Sequence, residues 1–163
     1  MRKAVFLDRD NTLIYDEGYI HEAEKVVLLE GVVEGLKLLR GAGYLLIVIS
    51  NQSGIGRGYY TEKEFWEVNE KIQELLKPYG LKIDDFFFCP HRPDEGCRCR
   101  KPETLLVELA AKKWNVNLEE SYTIGDKESD VYLGVKAGCR GGIMVGTPPF
   151  KTLLDAARLI VKG

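Results

Sequence analysis

The sequence lacks any long hydrophobic segment and any excess of basic residues. No apolar run approaches the roughly 20 residues of a membrane-spanning helix, and the first one, 4–7, is too short for the apolar region of a signal peptide. Lysine and arginine number 23 against 25 aspartates and glutamates, a formal net charge of −2. Without a basic excess, binding to a nucleic-acid backbone is not favoured. We therefore expect a cytoplasmic protein without nucleic-acid or membrane partners. Because no heptad repeat is present, we expect a monomer.

Cysteine is also scarce, and three of the four cysteines fall in one short segment. Cys89, Cys97 and Cys99 share that segment with His91. In a cytosolic chain such a cluster is typical of metal ligands rather than of disulfides. The C-x-H and C-x-C spacing predicts a tetrahedral Zn²⁺ site, which would be structural because four protein ligands leave no open position. Free thiols or a disulfide are the alternatives, and Cys139 is expected to pack as a small apolar residue.

Short apolar segments alternate with longer segments of helical periodicity. Strands are predicted at 3–7, 44–49, 86–88, 121–124 and 142–145, and helices at 31–42, 61–76, 102–114, after residue 126 and from about 150. This alternation predicts βαβ units, hence an α/β Rossmann-like three-layer sandwich around a mostly parallel sheet. A length of 163 residues suits one domain spanning 1–163.

Two carboxylates follow the first predicted strand. Asp8 and Asp10 lie two residues apart, so both side chains can project toward one pocket. In parallel sheets, ligands bind at the carboxyl ends of the strands. Two close carboxylates repel each other unless a cation lies between them, and oxygen ligands favour Mg²⁺. An ordinary polar turn is the alternative, since aspartate is common in turns.

Further polar residues follow the second and fourth predicted strands. Ser50 precedes a glycine-rich segment, 51–58, whose backbone N–H groups can approach an anion closely. Arg57 could add a charge-assisted contact to a second phosphate. Asp126 can complete a set of carboxylates, and Asp130 can orient it. The alternatives are an ordinary glycine-rich loop and an acidic first helical turn, which the helix dipole favours.

Arg100, Lys101 and Pro102 precede a predicted helix. Proline is favoured at the first helical position. The ammonium group of Lys101 would then lie beside the positive end of the helix dipole, and both attract phosphate. A solvated charge pair is the alternative.

In combination these motifs resemble a known superfamily. The residues are Asp8-x-Asp10-x-Thr12, Ser50, Lys101 and Gly125-Asp126-x-x-x-Asp130, in the order and at the strand ends of the four motifs of haloacid-dehalogenase-like hydrolases. The loop 89–99 before Lys101 is similar to that of the histidinol-phosphate and heptose-bisphosphate phosphatase branch, which implies a zinc-binding loop and a minimal cap. Segments 18–22, 51–58 and 125–127 are more similar to the heptose-bisphosphate members. Asn11 replaces the usual glycine, and asparagine tolerates the left-handed backbone conformation.

The resemblance implies a role for each motif. Asp8 would attack phosphorus and form an aspartyl phosphate, while Asp10 would act as general acid and then base. Ser50 and Lys101 would hold the transferring phosphoryl group. Mg²⁺ would bind to Asp8, Asp126 and the backbone carbonyl of Asp10. Thr12 would steady Asp10 or its loop. The residues implied to contact the sugar or its second phosphate are Asp16, Tyr19, Asn51, Gln52, Ser53, Arg57, Arg100 and Lys127.

The implied reaction is removal of the 7-phosphate of D-glycero-D-manno-heptose 1,7-bisphosphate, a step toward nucleotide-activated heptose for lipopolysaccharide or S-layer precursors. A histidinol-phosphate phosphatase or a broader phosphomonoesterase is the first alternative. A DNA 3′-phosphatase shares similar motifs, but the absent basic stripe and the cysteine-rich loop argue against it. A receiver-like, zinc-stabilised binding module is the non-enzymatic alternative, and it would not need Asp10 as acid and base.

Overall fold

The computed structural model describes residues 1–163. Its strands are β1 (Ala4–Leu7), β2 (Leu45–Asn51), β3 (Asp85–Cys89), β4 (Tyr122–Gly125) and β5 (Gly141–Met144). They form one sheet in the order β3-β2-β1-β4-β5, and all neighbours pair in parallel. The predicted α/β fold with a parallel sheet is confirmed, and β1 lies at its centre.

Six α-helices surround this sheet. They are α1 (Val32–Gly41), α2 (Ser53–Gly56), α3 (Glu62–Leu76), α4 (Leu105–Trp114), α5 (Glu128–Ala137) and α6 (Leu153–Lys162). None is long and apolar enough to cross a membrane. Strands β1, β2 and β4 end at the same edge of the sheet, so the residues that follow them meet there.

Two hydrophobic clusters form the core, one on each face of the sheet. Val5 and Leu7 of β1 pack in the cluster with α1, α3 and α6. Ala4 and Phe6 point to the opposite face and pack with α4 and α5. This alternation follows from the two-residue period of a strand. Both faces are covered, as expected for a parallel sheet. Cys139 packs against the second cluster, as predicted.

The helix boundaries contain one confirmed prediction and one correction. Thr61 and Glu64 form a capping box that begins α3, as their spacing predicted. The helix predicted to begin at Pro102 begins instead at Leu105, after the N-cap residue Thr104. Side-chain and sheet contacts hold Lys101 in a turn ahead of the helix. Lys101 lies ahead of the N-cap residue rather than at the helix N-terminus, so the predicted placement of its ammonium group beside the helix dipole was wrong.

Candidate active site

A polar cavity of about 320 Å³ opens at the carboxyl ends of the central strands. It brings together Asp8, Asp10, Asp126, Asp130 and Lys101, which come from widely separated parts of the chain. It is also lined by all the residues implied to contact substrate, namely Asp16, Tyr19, Asn51, Gln52, Ser53, Arg57, Arg100 and Lys127. Ser50 is buried behind the cavity wall. The topology therefore assembles the predicted site residues in one place.

Lys101 anchors the floor of the cavity. Its Nζ lies 2.9 Å from Asp8 Oδ1, 2.7 Å from Asp130 Oδ1 and 2.7 Å from the carbonyl oxygen of Ile49. Its backbone N–H donates to Asn51 Oδ1 at 2.9 Å. Burial alone would lower the pKa of Lys101, but the two carboxylates outweigh burial and raise it. The ammonium group is therefore charged and fixed beside Asp8.

Asp8 and Asp126 form an incompletely compensated pair of carboxyl groups. Ligand oxygens of Asp8, Asp126 and Asp130 lie within 4.8 Å of one another. Burial, followed by the nearby Asp8, raises the pKa of Asp126 to about 7. Burial also tends to raise the pKa of Asp8, but the charge of Lys101 outweighs burial and lowers that pKa.

One carboxylate oxygen in this group has no partner within the protein. Asp126 Oδ1 is buried and makes no hydrogen bond. A buried polar atom of this kind is costly unless a ligand satisfies it. Hard oxygen donors with excess negative charge are the ligands that Mg²⁺ prefers. The donor set around Asp126 therefore fits this cation.

The carboxylate of Asp10 points away from that group. Arg9 Nε lies 2.7 Å from Asp10 Oδ1, and Gln52 Nε2 lies 3.0 Å from Asp10 Oδ2. Burial raises the pKa of Asp10, although Arg9 opposes the shift. The Asp10 carboxylate is thus engaged by Arg9 and Gln52, and binding of a cation by the Asp10 carbonyl stays a prediction.

Two residues predicted to contact substrate already use their side chains within the protein. Gln52 is 1% exposed, and its amide contacts Ser50 and Tyr60 in addition to Asp10. The amide of Asn51 braces the backbone of Lys101. Contact of these two residues with substrate stays a prediction, whereas the structure shows that they support other site residues.

The loop after β1 shapes one wall of the cavity. Asn11 has φ of 62°, the left-handed conformation that was expected. Its Oδ1 accepts a hydrogen bond of 2.9 Å from the backbone N–H of Asp16. The carboxylate of Asp16 in turn accepts hydrogen bonds from the backbone N–H groups of Gly18 and Ile20, on either side of Tyr19. Thr12 contacts Asp8 at 3.4 Å rather than Asp10. These polar side chains fix the loop in place.

Three cationic side chains besides Lys101 line the cavity, namely Arg57, Arg100 and Lys127. The Nη1 atom of Arg100 is buried and has no hydrogen-bond partner in the protein. These groups suit a second anionic group of a ligand.

The predicted cysteine-rich cluster also assembles. Cys89 Sγ lies 3.5 Å from both His91 Nδ1 and Cys97 Sγ, and Cys99 Sγ lies 3.3 Å from His91 Nδ1. All four cysteines of the chain are free. Although burial opposes it, hydrogen bonds from Cys89 and the backbone lower the pKa of Cys97 to about 6. Three sulfur atoms and one imidazole nitrogen converging in this way fit a tetrahedral Zn²⁺ ion.

Three residues that organise the site were missed in the sequence. Arg9 is fully buried, Tyr60 is 6% exposed and Asn69 is 1% exposed. Tyr60 lies just before α3 and Asn69 lies in the middle of that helix, so no sequence spacing relates them to Asp10. An arginine beside an aspartate reads as an ordinary surface charge pair. No sequence signal marked these residues.

Comparison with known proteins gives concordant results. The family model described as polynucleotide kinase 3 phosphatase matches residues 3–152. D-glycero-beta-D-manno-heptose-1,7-bisphosphate 7-phosphatase of Helicobacter pylori strain J99 is 45% identical over 151 residues, covering 92% of this chain and 87% of the relative. A probable D-glycero-D-manno-heptose-1,7-bisphosphate 7-phosphatase of Thermoplasma acidophilum is 43% identical over 126 residues, with 77% and 79% covered.

Solved structures show the same fold. The D,D-heptose 1,7-bisphosphate phosphatase of B. bronchiseptica, crystallised with magnesium and phosphate, superposes with a TM-score of 0.88 at 24% identity. The match covers 99% of both chains. At this identity the likeness establishes the fold.

Proposed function

The chain belongs to the polynucleotide kinase 3 phosphatase family, and from this premise we propose that it removes the 7-phosphate of D-glycero-D-manno-heptose 1,7-bisphosphate. This membership confirms the resemblance to haloacid-dehalogenase-like phosphatases. One observation carries the proposal. Asp8 lies beside a buried ammonium group and beside Asp126, whose buried oxygen lacks a partner, in a cavity that also holds Asp10.

The first half of the reaction forms a covalent intermediate. A carboxylate oxygen of Asp8 attacks phosphorus, and the bond between phosphorus and the sugar oxygen breaks. The proton of Asp10 passes to that oxygen, so the sugar leaves as an alcohol. Burial raises the pKa of Asp10, which favours the protonated form that this step needs.

The second half returns the enzyme to its starting state. Asp10, now ionised, takes a proton from a water molecule whose oxygen attacks phosphorus. The bond from phosphorus to the Asp8 oxygen breaks, which releases inorganic phosphate and restores the Asp8 carboxylate. Asp10 again carries a proton.

Positive groups offset the charge that collects on the transferring phosphoryl group. Lys101 and the Ser50 hydroxyl would donate hydrogen bonds to its oxygens. Bound to Asp8, Asp126 and the Asp10 carbonyl, Mg²⁺ would screen the approach of an anionic phosphate to an anionic nucleophile. The three N–H groups of Lys101 contact Asp8, Asp130 and the Ile49 carbonyl, so Lys101 would exchange its bond to Asp8 for one to the phosphoryl group as Asp8 attacks.

The cationic residues of the cavity favour a bisphosphate over the alternatives. Arg57, Arg100 and Lys127 line the cavity, and Arg100 has an unused buried donor. A second phosphate complements these groups, whereas the cationic amine of histidinol phosphate would be repelled. The family name refers to the 3′ end of a polynucleotide. A formal net charge of −2, however, does not favour binding of a polynucleotide backbone.

We propose further that Zn²⁺ occupies the cluster of Cys89, His91, Cys97 and Cys99. The segment between the ligand pairs is mostly exposed and polar. Because it buries little apolar surface, a metal ion would supply the stability that packing does not. We also propose that residues 1–163 act as one domain and as a monomer.

A phosphate-release assay tests the function. We expect kcat/KM for heptose 1,7-bisphosphate to exceed that for histidinol phosphate and for a 3′-phosphorylated oligonucleotide, and to vanish without Mg²⁺. The Asp8→Asn variant serves as the inactive control. A preference for histidinol phosphate would overturn the substrate assignment, and salt-sensitive cleavage of the oligonucleotide would establish the nucleic-acid alternative.

A further inference from the structure

Arg9 is a fully buried arginine that the reaction described above does not use. Its Nη1 donates to Asn69 Oδ1 at 2.9 Å and to the carbonyl oxygen of Phe65 at 3.3 Å, both on α3. Its guanidinium also lies 4.8 Å from the centroid of the Phe65 ring. The other two nitrogens face Asp10: Nε lies 2.7 Å from its Oδ1, and Nη2 lies 3.5 Å from its Oδ2. Burying a guanidinium is costly unless it is paired, so these contacts hold Arg9 in one position against Asp10.

Gln52 holds the other carboxylate oxygen of Asp10. One amide nitrogen, Nε2, donates to both Asp10 Oδ2 at 3.0 Å and Ser50 Oγ at 2.6 Å. The amide oxygen accepts from the hydroxyl of Tyr60. A flipped amide would place its oxygen against the Asp10 carboxylate, so contact with that carboxylate favours the orientation seen here. Tyr60 anchors the Gln52 amide at the end opposite Asp10.

The Asp10 carboxylate is therefore held by hydrogen bonds from Arg9 and Gln52, and it remains accessible from the cavity. Arg9 occupies Oδ1 and Gln52 occupies Oδ2, while 20% of the Asp10 side chain stays exposed toward the cavity. An aspartate without these partners would have several rotamers available. The same Gln52 amide bonds to Ser50, so the acid and a proposed phosphate ligand share one support.

We propose that Arg9 and Gln52 are positioning residues that fix Asp10 for proton transfer to the departing sugar oxygen, with Tyr60 and Asn69 locking them in place. The inference rests on the proposed function, because it gives Asp10 the role of general acid. Proton transfer requires hydrogen-bond distance to the leaving oxygen, so a small displacement of Asp10 is costly.

Leaving groups of different basicity separate this role from a merely structural one. A sugar alkoxide needs a proton in order to leave, whereas p-nitrophenolate leaves without one. Loss of the Gln52 or Arg9 contact to Asp10 should therefore slow cleavage of the sugar phosphate more than cleavage of p-nitrophenyl phosphate. The value of kcat/KM reports only steps up to departure of the leaving group, so later hydrolysis of the intermediate does not obscure the comparison.

The test measures kcat/KM of the Tyr60→Phe and Gln52→Leu variants with heptose 1,7-bisphosphate and with p-nitrophenyl phosphate. General acid catalysis contributes roughly 10²–10⁴-fold, so we expect a partial loss of about 10- to 100-fold for the sugar phosphate. For p-nitrophenyl phosphate we expect a loss of less than about threefold with Tyr60→Phe. Gln52→Leu also removes a support of Ser50, so its loss with this substrate should be larger, but still smaller than its loss with the sugar phosphate. Tyr132→Phe removes the hydroxyl of an exposed tyrosine on α5 and serves as the matched control.

Equal losses with both substrates, or no loss with either, would overturn the inference. A crystal structure of the Gln52→Leu variant gives an independent readout, in which we expect Asp10 to adopt more than one rotamer. A single, unmoved Asp10 would contradict the proposal. Arg9→Lys tests the second contact, and the two Tyr60 and Gln52 variants suffice if that protein does not fold. Failure of the proposed function looks different, since wild-type protein would then release no phosphate or Asp10→Asn would be fully active.

Discussion

The acidic cavity and the Cys₃His loop are both suited to a metal ion, but the chain builds them in opposite ways. The four ligands of the loop lie within residues 89–99, whereas the carboxylates of Asp8 and Asp126 are brought together by β1 and β4. The cavity rests on a packed sheet and carries uncompensated charge. The loop has no comparable group of uncompensated carboxylates, but it buries little apolar surface of its own. A metal at the cavity should therefore serve catalysis, and a metal at the loop should serve stability.

The largest expected effect removes the acid from the cavity. Asp10→Asn keeps the shape of residue 10 but cannot protonate the leaving alkoxide. We expect turnover of the sugar phosphate to fall by roughly 10²–10⁴-fold. We also expect a folded protein with a lowered thermal midpoint, because the buried Arg9 loses its ionic partner. Glu67→Gln, an exposed position on α3, should behave as wild type. Unchanged turnover would show that Asp10 is not the acid, whereas a wild-type protein without turnover would favour the non-enzymatic module.

The next largest expected effect is the loss of stability when the carboxylates of the cavity lose their cationic partner. Lys101→Met leaves the buried carboxylates of Asp8 and Asp130 without their ammonium partner. Removing one partner of a buried ion pair costs about 3–5 kcal/mol of unfolding free energy. Chemical denaturation in the absence of Mg²⁺ measures this loss. Lys136→Met is a suitable control because it breaks only an exposed pair with Glu103. A destabilisation no larger than that of the control would mean that the carboxylates are not strained.

Disruption of the loop should act on stability before activity. Cys97→Ser removes one ligand, and we expect loss of bound zinc and a fall in Tm of about 5–10 °C, taking roughly 2–4 °C per kcal/mol. Metal analysis with calorimetry measures both, and Cys139→Ala should retain the zinc. Chelation of Mg²⁺ should instead abolish turnover. Full thermal stability after verified zinc loss would refute the division of roles between the two regions.

Protons should compete with Mg²⁺ at the cavity. The pKa of Asp126 is raised from 3.8 to about 7 by burial and by Asp8, so binding below pH 7 must release a proton. We expect apparent affinity to weaken by up to about tenfold per pH unit below that value. In the metal-free protein the raised pKa also means that stability declines as pH rises from about 4 toward 7. Calorimetric titration from pH 5.5 to 8 checks the binding trend, and a flat profile would contradict it.

The smallest expected effect is the loss of stability from a substitution that lies in neither region. Thr61→Ala removes the cap of α3, whose side chain accepts from Glu64 N at 3.2 Å. A lost N-cap costs about 1 kcal/mol, which corresponds to roughly 2–4 °C in Tm. Activity should be unchanged. A larger fall in Tm, or a loss of activity, would indicate that the start of α3 also holds Tyr60 and Gln52 in position.

The two regions also differ in how far sequence alone could describe them. The loop was predictable because its ligand spacing is local. The carboxylates were predictable because each follows a recognisable strand, and parallel strands deliver their ends to one edge. The capping box at Thr61 was predictable for the same local reason.

What the sequence did not reveal depends on contacts between distant segments. The support of Asp10 by Arg9 requires Asn69 on α3, which packs beside β1 only in the folded chain. The start of α4 was misplaced because Lys101 is held by Asp8 and Asn51, and these contacts outweigh the helix-initiating preference of Pro102.

Trapping the covalent intermediate tests the central claim most directly. Wild-type protein would be mixed with substrate and Mg²⁺, quenched in acid within milliseconds, reduced with borohydride and digested for mass spectrometry. An aspartyl phosphate is reduced to homoserine, so we predict homoserine at position 8 and at no other aspartate. Full phosphate release with an unmodified Asp8, or modification of a different carboxylate, would contradict the account.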